Sequence, residues 1–143
     1  MLIGQYEGKV SEKFQIAFPK KFREILGDRL IITKGFEGYL LVVSEKDWET
    51  LLEGTQGLPF TNTRARKLQR FLLGNASEVE LDDKGRFVLP EYLRLHAEIK
   101  DEVIYAGISR FVEIWNKDRW NKEQERLANA MPNVSDRLDE GMN

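Results

Sequence analysis

The chain has 143 residues, of which 41% are hydrophobic and 32% charged, and its formal net charge is −2. These values are typical of one globular domain or of two closely packed half-domains. No apolar run approaches the ~18 residues that a membrane span requires, and the absence of cysteine excludes disulfide and thiolate chemistry. We therefore expect a cytoplasmic protein without a signal peptide.

The sequence contains the same pattern twice. Residues 10–19 match residues 81–90, which lie 71 positions further along the chain, and this match continues to align Arg23 with Arg94. After one extra residue in the second copy, residues 31–35 match residues 103–107. A unit of about 45 residues seldom buries enough surface to fold alone. We therefore predict that two repeats share one core around a pseudo-twofold axis.

In the first repeat, alternating apolar positions predict a strand ending near Val10, and a second β-rich run precedes Pro19. Because proline suits the first position of a helix, we expect a short helix over Lys20–Leu26. Two further strands are predicted at Leu30–Lys34 and Tyr39–Val43, joined by a glycine-containing turn.

A helix closes the first repeat. Ser44 and Asp47 have the spacing of a capping box, and Trp48, Leu51 and Leu52 form the inward stripe of the helix.

Between the repeats we predict a loop over Gly54–Phe60 and then a linking helix, capped by Thr61 or Asn62, that runs to about Leu73. Its apolar residues share one side of the helical wheel and its basic residues point outward. The basic residues, here named the linker cluster, are Arg64, Arg66, Lys67 and Arg70. Such a cluster is either a solvated face, a subunit contact or a surface that faces DNA.

The second repeat has the same predicted elements in the same order. They are a strand at 79–81, a turn at 82–85, a β-rich run at 86–89, a helix at 91–97, a strand at 102–106, a turn with Gly107, and a strand at 111–115. The domain boundaries that follow are 5–50 for repeat 1, 51–74 for the linker, 75–120 for repeat 2 and 121–143 for the end of the chain.

The last predicted helix is capped by Asn116. Its inward stripe contains Trp120, Gln124 and Leu127, and we expect Met131-Pro132 to end it. The polar tail Asn133–Asn143 is expected to fray.

The turn of the second repeat is the best candidate site. Gly85 can adopt a positive φ, Asp82 can accept backbone N–H groups across the turn, and Arg86 then carries a planar donor fork that matches a phosphate or a guanine edge. The alternative is an Asp82–Arg86 ion pair that only stabilises a hairpin. Lys84 and its counterpart Lys13 are either solvated or contact phosphates.

The sequence offers no enzyme active site. His96 is the only histidine, with no cysteine to complete a metal-ligand set, and a structural role at the end of a short helix is expected. Asp82 and Asp83 are adjacent, so on an extended segment they point to opposite sides. We expect that the protein is not an enzyme and that it has no cofactor, no small-molecule substrate and no membrane partner.

The Asp82-x-x-Gly85-Arg86 motif followed by Phe-Val-Leu-Pro, the duplication, the glycine-marked hairpins and the tryptophan after each second hairpin together resemble the MraZ family of bacterial transcriptional regulators. The similarity covers about residues 1–127 and includes the Met-x-x-Gly-x-Tyr start. It implies an α+β fold of internally duplicated swapped-hairpin, AbrB-like β-barrel halves with short helices.

The resemblance also implies a nucleoid-associated protein that forms ring-shaped homo-oligomers. Its partner would be double-stranded DNA carrying direct repeats, in promoters of cell-division and cell-wall genes, with the arginine of the DxxGR loop in contact with DNA. In the first loop the corresponding positions hold Ser11, Phe14 and Gln15. Gln15 either pairs with adenine or is a polar loop residue without a DNA role.

A second hypothesis belongs to another class. The same fold could serve as a protein–protein interaction module, antitoxin-like or a scaffold, in which DNA binding is weak or lost. Retention on heparin or on a promoter fragment at moderate salt would distinguish the two.

Overall fold

The computed structural model describes residues 1–56 and 61–142, and within them eight strands and five helices. The strands are β1 (Leu2–Lys9), β2 (Gln15–Ala17), β3 (Arg29–Lys34), β4 (Leu40–Ser44), β5 (Ser77–Glu80), β6 (Arg86–Val88), β7 (Glu102–Ser109) and β8 (Phe111–Asn116). The helices are α1 (Lys20–Leu26), α2 (Glu45–Gln56), α3 (Thr63–Leu72), α4 (Glu91–His96) and α5 (Lys117–Met142). None of these helices has a stretch long and apolar enough to cross a membrane.

Six strands form one antiparallel sheet in the order β1-β7-β8-β4-β3-β5, and β2 pairs with β6 in a separate two-stranded ribbon. The sheet order reads the same from both ends once each strand is exchanged for its counterpart in the other repeat. The pairs Leu41–Glu113 and Ile16–Phe87 each join equivalent residues, so the pseudo-twofold axis passes through them. The two repeats therefore build one sheet together.

Each repeat lends its first strand to the other. β1 pairs along its whole length with β7 of the second repeat, and β5 pairs with β3 of the first repeat. Neither repeat can close a barrel of its own, because its first strand is hydrogen-bonded elsewhere. The described strands form an open sheet and a ribbon, and no closed barrel is found among them, so the predicted β-barrel halves are not confirmed.

The structure aligns the two equivalent strands β3 and β7 one residue differently from the sequence match. That match paired Ile31 with Val103, but Leu30 and Val103 belong to one apolar core, and Ile31 and Ile104 to the other. Since successive residues of a strand face opposite sides, a slip of one residue exchanges the two faces. Leu30 is thus the counterpart of Val103.

The sheet separates two apolar cores. The larger core lies between the sheet, the ribbon and helices α1 and α4, and it includes Phe22, Leu93 and Tyr105, whose hydroxyl donates to the carbonyl of Ala17 at 2.8 Å. The smaller core lies on the other face around Trp115 and the helices α2 and α5. The larger core therefore supports the inner face of the ribbon.

Both tryptophans expected in the core pack in the smaller one, but the rest of the α5 stripe does not. Trp120 is buried and donates its indole N–H to Gln5 Oε1 at 2.9 Å, and Trp48 is half-buried. Gln124 and Leu127 are exposed, so the predicted inward stripe is correct only for its first turn.

Several predicted element ends are wrong. Helix α2 continues to Gln56, so residues 54–56 of the expected loop are helical, and residues 57–60 lie outside the described residues. Helix α5 runs through Pro132 to Met142. The φ of proline is compatible with a helix, and the missing N–H of Pro132 costs the helix only one backbone hydrogen bond. Gly107 lies within β7, where a Cβ would come within 2.6 Å of the backbone nitrogen of Ile3.

Candidate nucleic-acid interface

The β2–β6 ribbon has a buried and an exposed face. Ile16 and Phe87 pair across the ribbon and point into the larger core. The residues on either side of them point the other way, since side chains alternate along a strand. These outward residues are Gln15, Ala17, Arg86 and Val88. The ribbon therefore brings Arg86 and Gln15, from different repeats, to one outer surface.

The second loop is organised by one carboxylate. Asp82 Oδ1 accepts the backbone N–H groups of Lys84 at 2.9 Å and of Arg86 at 2.8 Å, and Oδ2 accepts from Arg86 Nε at 2.8 Å. Gly85 has a φ of 75°, which closes the turn. The backbone hydrogen bond from Arg86 is the main reason that the pKa of Asp82 lies below its ordinary value.

The guanidinium of Arg86 remains available. Its ion pair with Asp82 uses Nε, and among the described residues neither Nη atom donates a hydrogen bond. The Arg86 side chain is 43% exposed. The ion pair proposed as the alternative to DNA contact is thus present, but it orients the guanidinium and leaves its outer edge in solvent.

The first loop keeps the backbone geometry of the second loop but lacks the Asp82–Arg86 ion pair, because Ser11 and Gln15 stand at the equivalent positions. Ser11 Oγ accepts the N–H of Gln15 at 3.0 Å, as Asp82 does for Arg86. The N–H of Phe14 donates to the carbonyl of Ser11 at 2.9 Å, and Phe14 has a φ of 59° although it is not glycine. A hydroxyl can replace the carboxylate as the turn acceptor, so the loop survives the loss of its motif.

Two arginines that the sequence interpretation left without a role lie beneath these loops, each supplied by the other repeat. Arg23 packs under the second loop, where a Cβ on Gly85 would lie 2.5 Å from Arg23 Cδ. Arg94 stacks on the first loop, with its guanidinium carbon 3.9 Å from the centroid of the Phe14 ring. The Nε atoms of both arginines are buried, with no hydrogen-bond partner among the described residues. Their equivalence in the two repeats was the sequence signal for them.

The Arg94–Phe14 contact accounts for part of the first loop's departure from the motif. A left-handed backbone costs a non-glycine residue about 1–2 kcal/mol. A cation–π contact at a partly exposed site returns about 0.5–1 kcal/mol. The stacked arginine therefore offsets some of the strain at Phe14, which also receives a hydrogen bond from the N–H of Leu89 at 2.9 Å.

The other predicted site residues fall into two groups. Lys13 and Lys84 are exposed on the two loops beside the ribbon. The linker cluster lies instead on α3, where Arg64, Lys67 and Arg70 are exposed and Arg66 is half-buried.

Helix α3 packs against β3 and α4 rather than on the ribbon. The hydroxyl of Thr33 donates to the carbonyl of Leu72 at 2.7 Å, and Phe71 contacts the ring of His96 edge-on. His96 Nε2 lies 3.1 Å from the carbonyl oxygen of Gly35, which gives this histidine a structural contact. In the described part of the chain, no three acidic or histidine side chains are placed to hold a metal ion.

Comparison with known proteins shows the duplication directly. A family model described as "MraZ protein, putative antitoxin-like" matches twice, over residues 1–71 and 72–140. Proteins named transcriptional regulator MraZ are similar along nearly the whole chain. The one from Caldanaerobacter subterraneus subsp. tengcongensis is 39% identical over 139 residues, which is 97% of each chain. Those from Heliobacterium modesticaldum and Clostridium acetobutylicum are 37% identical, over 96% of each chain, and 42% identical, over 87% of this chain and 88% of the relative.

Proposed function

The chain belongs to the MraZ family, and on that premise we propose that it regulates transcription by binding double-stranded DNA through the β2–β6 ribbon and its two loops. The observation that carries this proposal is the exposed outer face of the ribbon, which holds Arg86 and Gln15 together. Both side chains suit base recognition, because arginine matches the edge of guanine and glutamine that of adenine.

The shape of the ribbon supports the same conclusion. The major groove of B-DNA, about 12 Å wide, admits a two-stranded β-ribbon. Arg86 would enter it from a loop already ordered by Asp82, so little conformational freedom is lost on binding. Lys13 and Lys84, on the loops beside the ribbon, would contact the phosphates that flank the groove.

A single subunit offers one arginine loop, and such a contact is weak alone. We propose that the protein binds as a ring-shaped homo-oligomer, in which several ribbons meet several copies of a short direct repeat. Multiple weak contacts on one rigid assembly then gain affinity through effective concentration, provided that the repeats have matching spacing.

Two exposed apolar patches support such an assembly. The first end patch lies where β1 begins and β7 turns into β8, and consists of Met1, Ile3, Ile25 and Ile108. The second end patch lies near the β3–β4 hairpin and helix α4, and consists of Phe36, Leu73, Tyr92 and Leu95. The pseudo-twofold axis relates the two ends of the sheet, but the patches differ in sequence. A contact between unlike patches is heterologous, and repeated contacts of that kind form a ring when the rotation from one subunit to the next divides a full turn.

The linker cluster fits the subunit contact better than the DNA. Phe71 of α3 stacks on Phe36 of the second end patch, with ring centroids 5.4 Å apart. Arginines are enriched around such interfaces. We therefore propose that Arg64 and Lys67 face a neighbouring subunit, while the ribbon alone meets the groove.

The DNA targets would be promoters of cell-division and cell-wall genes. The test uses the purified protein and labelled duplexes from such a promoter, with the direct repeats intact, respaced by half a helical turn, or scrambled. We expect tight binding only to the intact spacing and an affinity that falls steeply with salt. Equal affinity for all three duplexes would reject the proposal. That result would favour the second hypothesis, a protein–protein interaction module. The family description "antitoxin-like" and the two exposed end patches are consistent with such a module.

A further inference from the structure

The apolar stripe that anchors α5 to the sheet continues beyond it. Trp120 packs in the smaller core, and the same helix then exposes four large apolar side chains within twelve positions. Their exposed fractions are 38% for Leu127, 43% for Met131, 40% for Val134 and 62% for Leu138. Isolated apolar residues on a surface are ordinary, but a stripe along one helix marks an interaction surface.

The spacing of the stripe is that of a coiled-coil seam. The intervals from Trp120 onward alternate strictly between four and three residues, through Gln124, Leu127, Met131, Val134 and Leu138. An alternation of four and three has a period of 3.5 residues, which keeps the stripe facing one partner helix. Pro132 falls on the opposite side of the helix from this seam, where it obstructs no partner.

We propose that the exposed half of α5 pairs with α5 of a second copy of this chain in antiparallel orientation. In that alignment Leu127 lies against Met131 of the second copy, and Gln124 lies against Val134. Leu127, Met131 and Val134 then meet exposed positions of the opposing α5, while Leu138 falls at the level of Trp120, where that helix joins its own core. A twofold axis near Asn129 closes the arrangement.

The charges beside the seam select the orientation. In an antiparallel pair Glu123 of one helix lies beside Arg137 of the other, and the twofold axis forms this ion pair twice. In a parallel pair the same two side chains would be about 21 Å apart, since fourteen residues separate them along a helix. Glu123, whose side chain is 17% exposed, already contacts the exposed Arg126 at 3.3 Å within α5, and Arg137 of the second copy would add a second arginine to this carboxylate.

Small side chains beside the seam are compatible with close approach. Ala128 and Ala130 flank the seam at the centre of the pair, where the two helices would be nearest. This surface is distinct from the ribbon and from both end patches. The inference therefore does not rest on DNA binding or on ring formation, and its failure would leave the proposed function intact.

Cross-linking of the whole 143-residue chain tests the pairing, because it has no cysteine and a single one can be introduced at a chosen position. With a short bismaleimide, Ala130→Cys should give a covalent dimer on a denaturing gel. The matched control is Asn129→Cys, whose side chain is one position away but on the outer side of the helix. Thermal unfolding of each variant checks that the fold is retained.

Charge exchange then tests the orientation. In the Ala130→Cys background, Glu123→Arg creates two like-charge contacts, and we expect roughly a ten-fold loss of association. Adding Arg137→Glu restores both attractions and should restore the cross-link. Equal cross-linking at positions 129 and 130, no cross-linking at all, or no effect of the charge changes would each overturn the proposal.

Discussion

Replacing Arg86 by alanine separates its role in DNA binding from its role in the loop. The Arg86–Asp82 pair is about 40% exposed on both sides, and exposed ion pairs contribute at most about 1 kcal/mol to stability. The backbone bonds from Lys84 and residue 86 to Asp82 Oδ1 remain after the substitution. We therefore expect Arg86→Ala to keep its loop, its assembly and almost all of its stability.

The loss in DNA binding should be far larger. An arginine placed on a guanine edge contributes about 1–3 kcal/mol, so each engaged subunit would lose roughly 5- to 150-fold. Two subunits bound to two repeats would lose about 2–6 kcal/mol together, because distant sites add. Specific binding is then abolished at the concentrations that saturate the native protein.

Fluorescence anisotropy with a labelled promoter duplex, between about 50 and 200 mM salt, measures this effect. Light scattering and thermal unfolding on the same samples check the assembly and the fold. Arg126→Ala is the matched control, since Arg126 is also an exposed arginine, 74% accessible, that forms an ion pair with a carboxylate three positions away. Unchanged affinity of Arg86→Ala, or an equal loss in Arg126→Ala, would refute the reasoning.

Three other substitutions test the loops and the core. Gln15→Arg restores the motif's charge in the first loop, so anisotropy should show higher affinity and a steeper salt dependence; equal salt slopes would contradict this. Gly85→Ala forces a side chain into a backbone with φ of 75° and against Arg23, so urea unfolding should show a loss of about 1–2 kcal/mol or more. Burial raises the pKa of Glu113, so ionisation at neutral pH costs stability, and the cost is lost as pH falls below the raised pKa. Glu113→Gln should therefore raise Tm at neutral pH but not in acid, and an equal shift at both would count against it.

Local chemistry made the site predictable in part. Asp82, Gly85 and Arg86 carry a turn acceptor, a positive φ and a donor fork within five residues, so their arrangement follows from neighbouring positions. The contribution of Arg23 and Arg94 could not be predicted in this way, because each lies beneath a loop about 60–80 residues distant in sequence. A motif search also suggests that the first loop is lost, whereas Ser11 supplies the same acceptor as Asp82.

The register of the central strands could not be predicted from neighbouring residues either. The sequence match placed the central strands one residue out of register, because an insertion before β7 and a deletion in the β7–β8 turn nearly cancel. Only the burial of Leu30 and Val103 in one core reveals the shift. The end of α5 was also missed, since proline opposes a helix locally but still permits the chain to continue through it.

The sequence alone specifies the duplication, the types of the elements and the arginine turn. These features depend on short segments of the chain, in which local backbone preferences and the alternation of apolar and polar residues decide the structure. Strand exchange between the repeats, the open sheet and the common outer face of Gln15 and Arg86 depend on contacts between residues about 45 to 107 positions apart. Such contacts form only where two apolar faces are buried together, and no local preference specifies which faces meet. The ribbon therefore forms because the two repeats share a core, although each of its two strands already carries one of the two residues, Gln15 or Arg86.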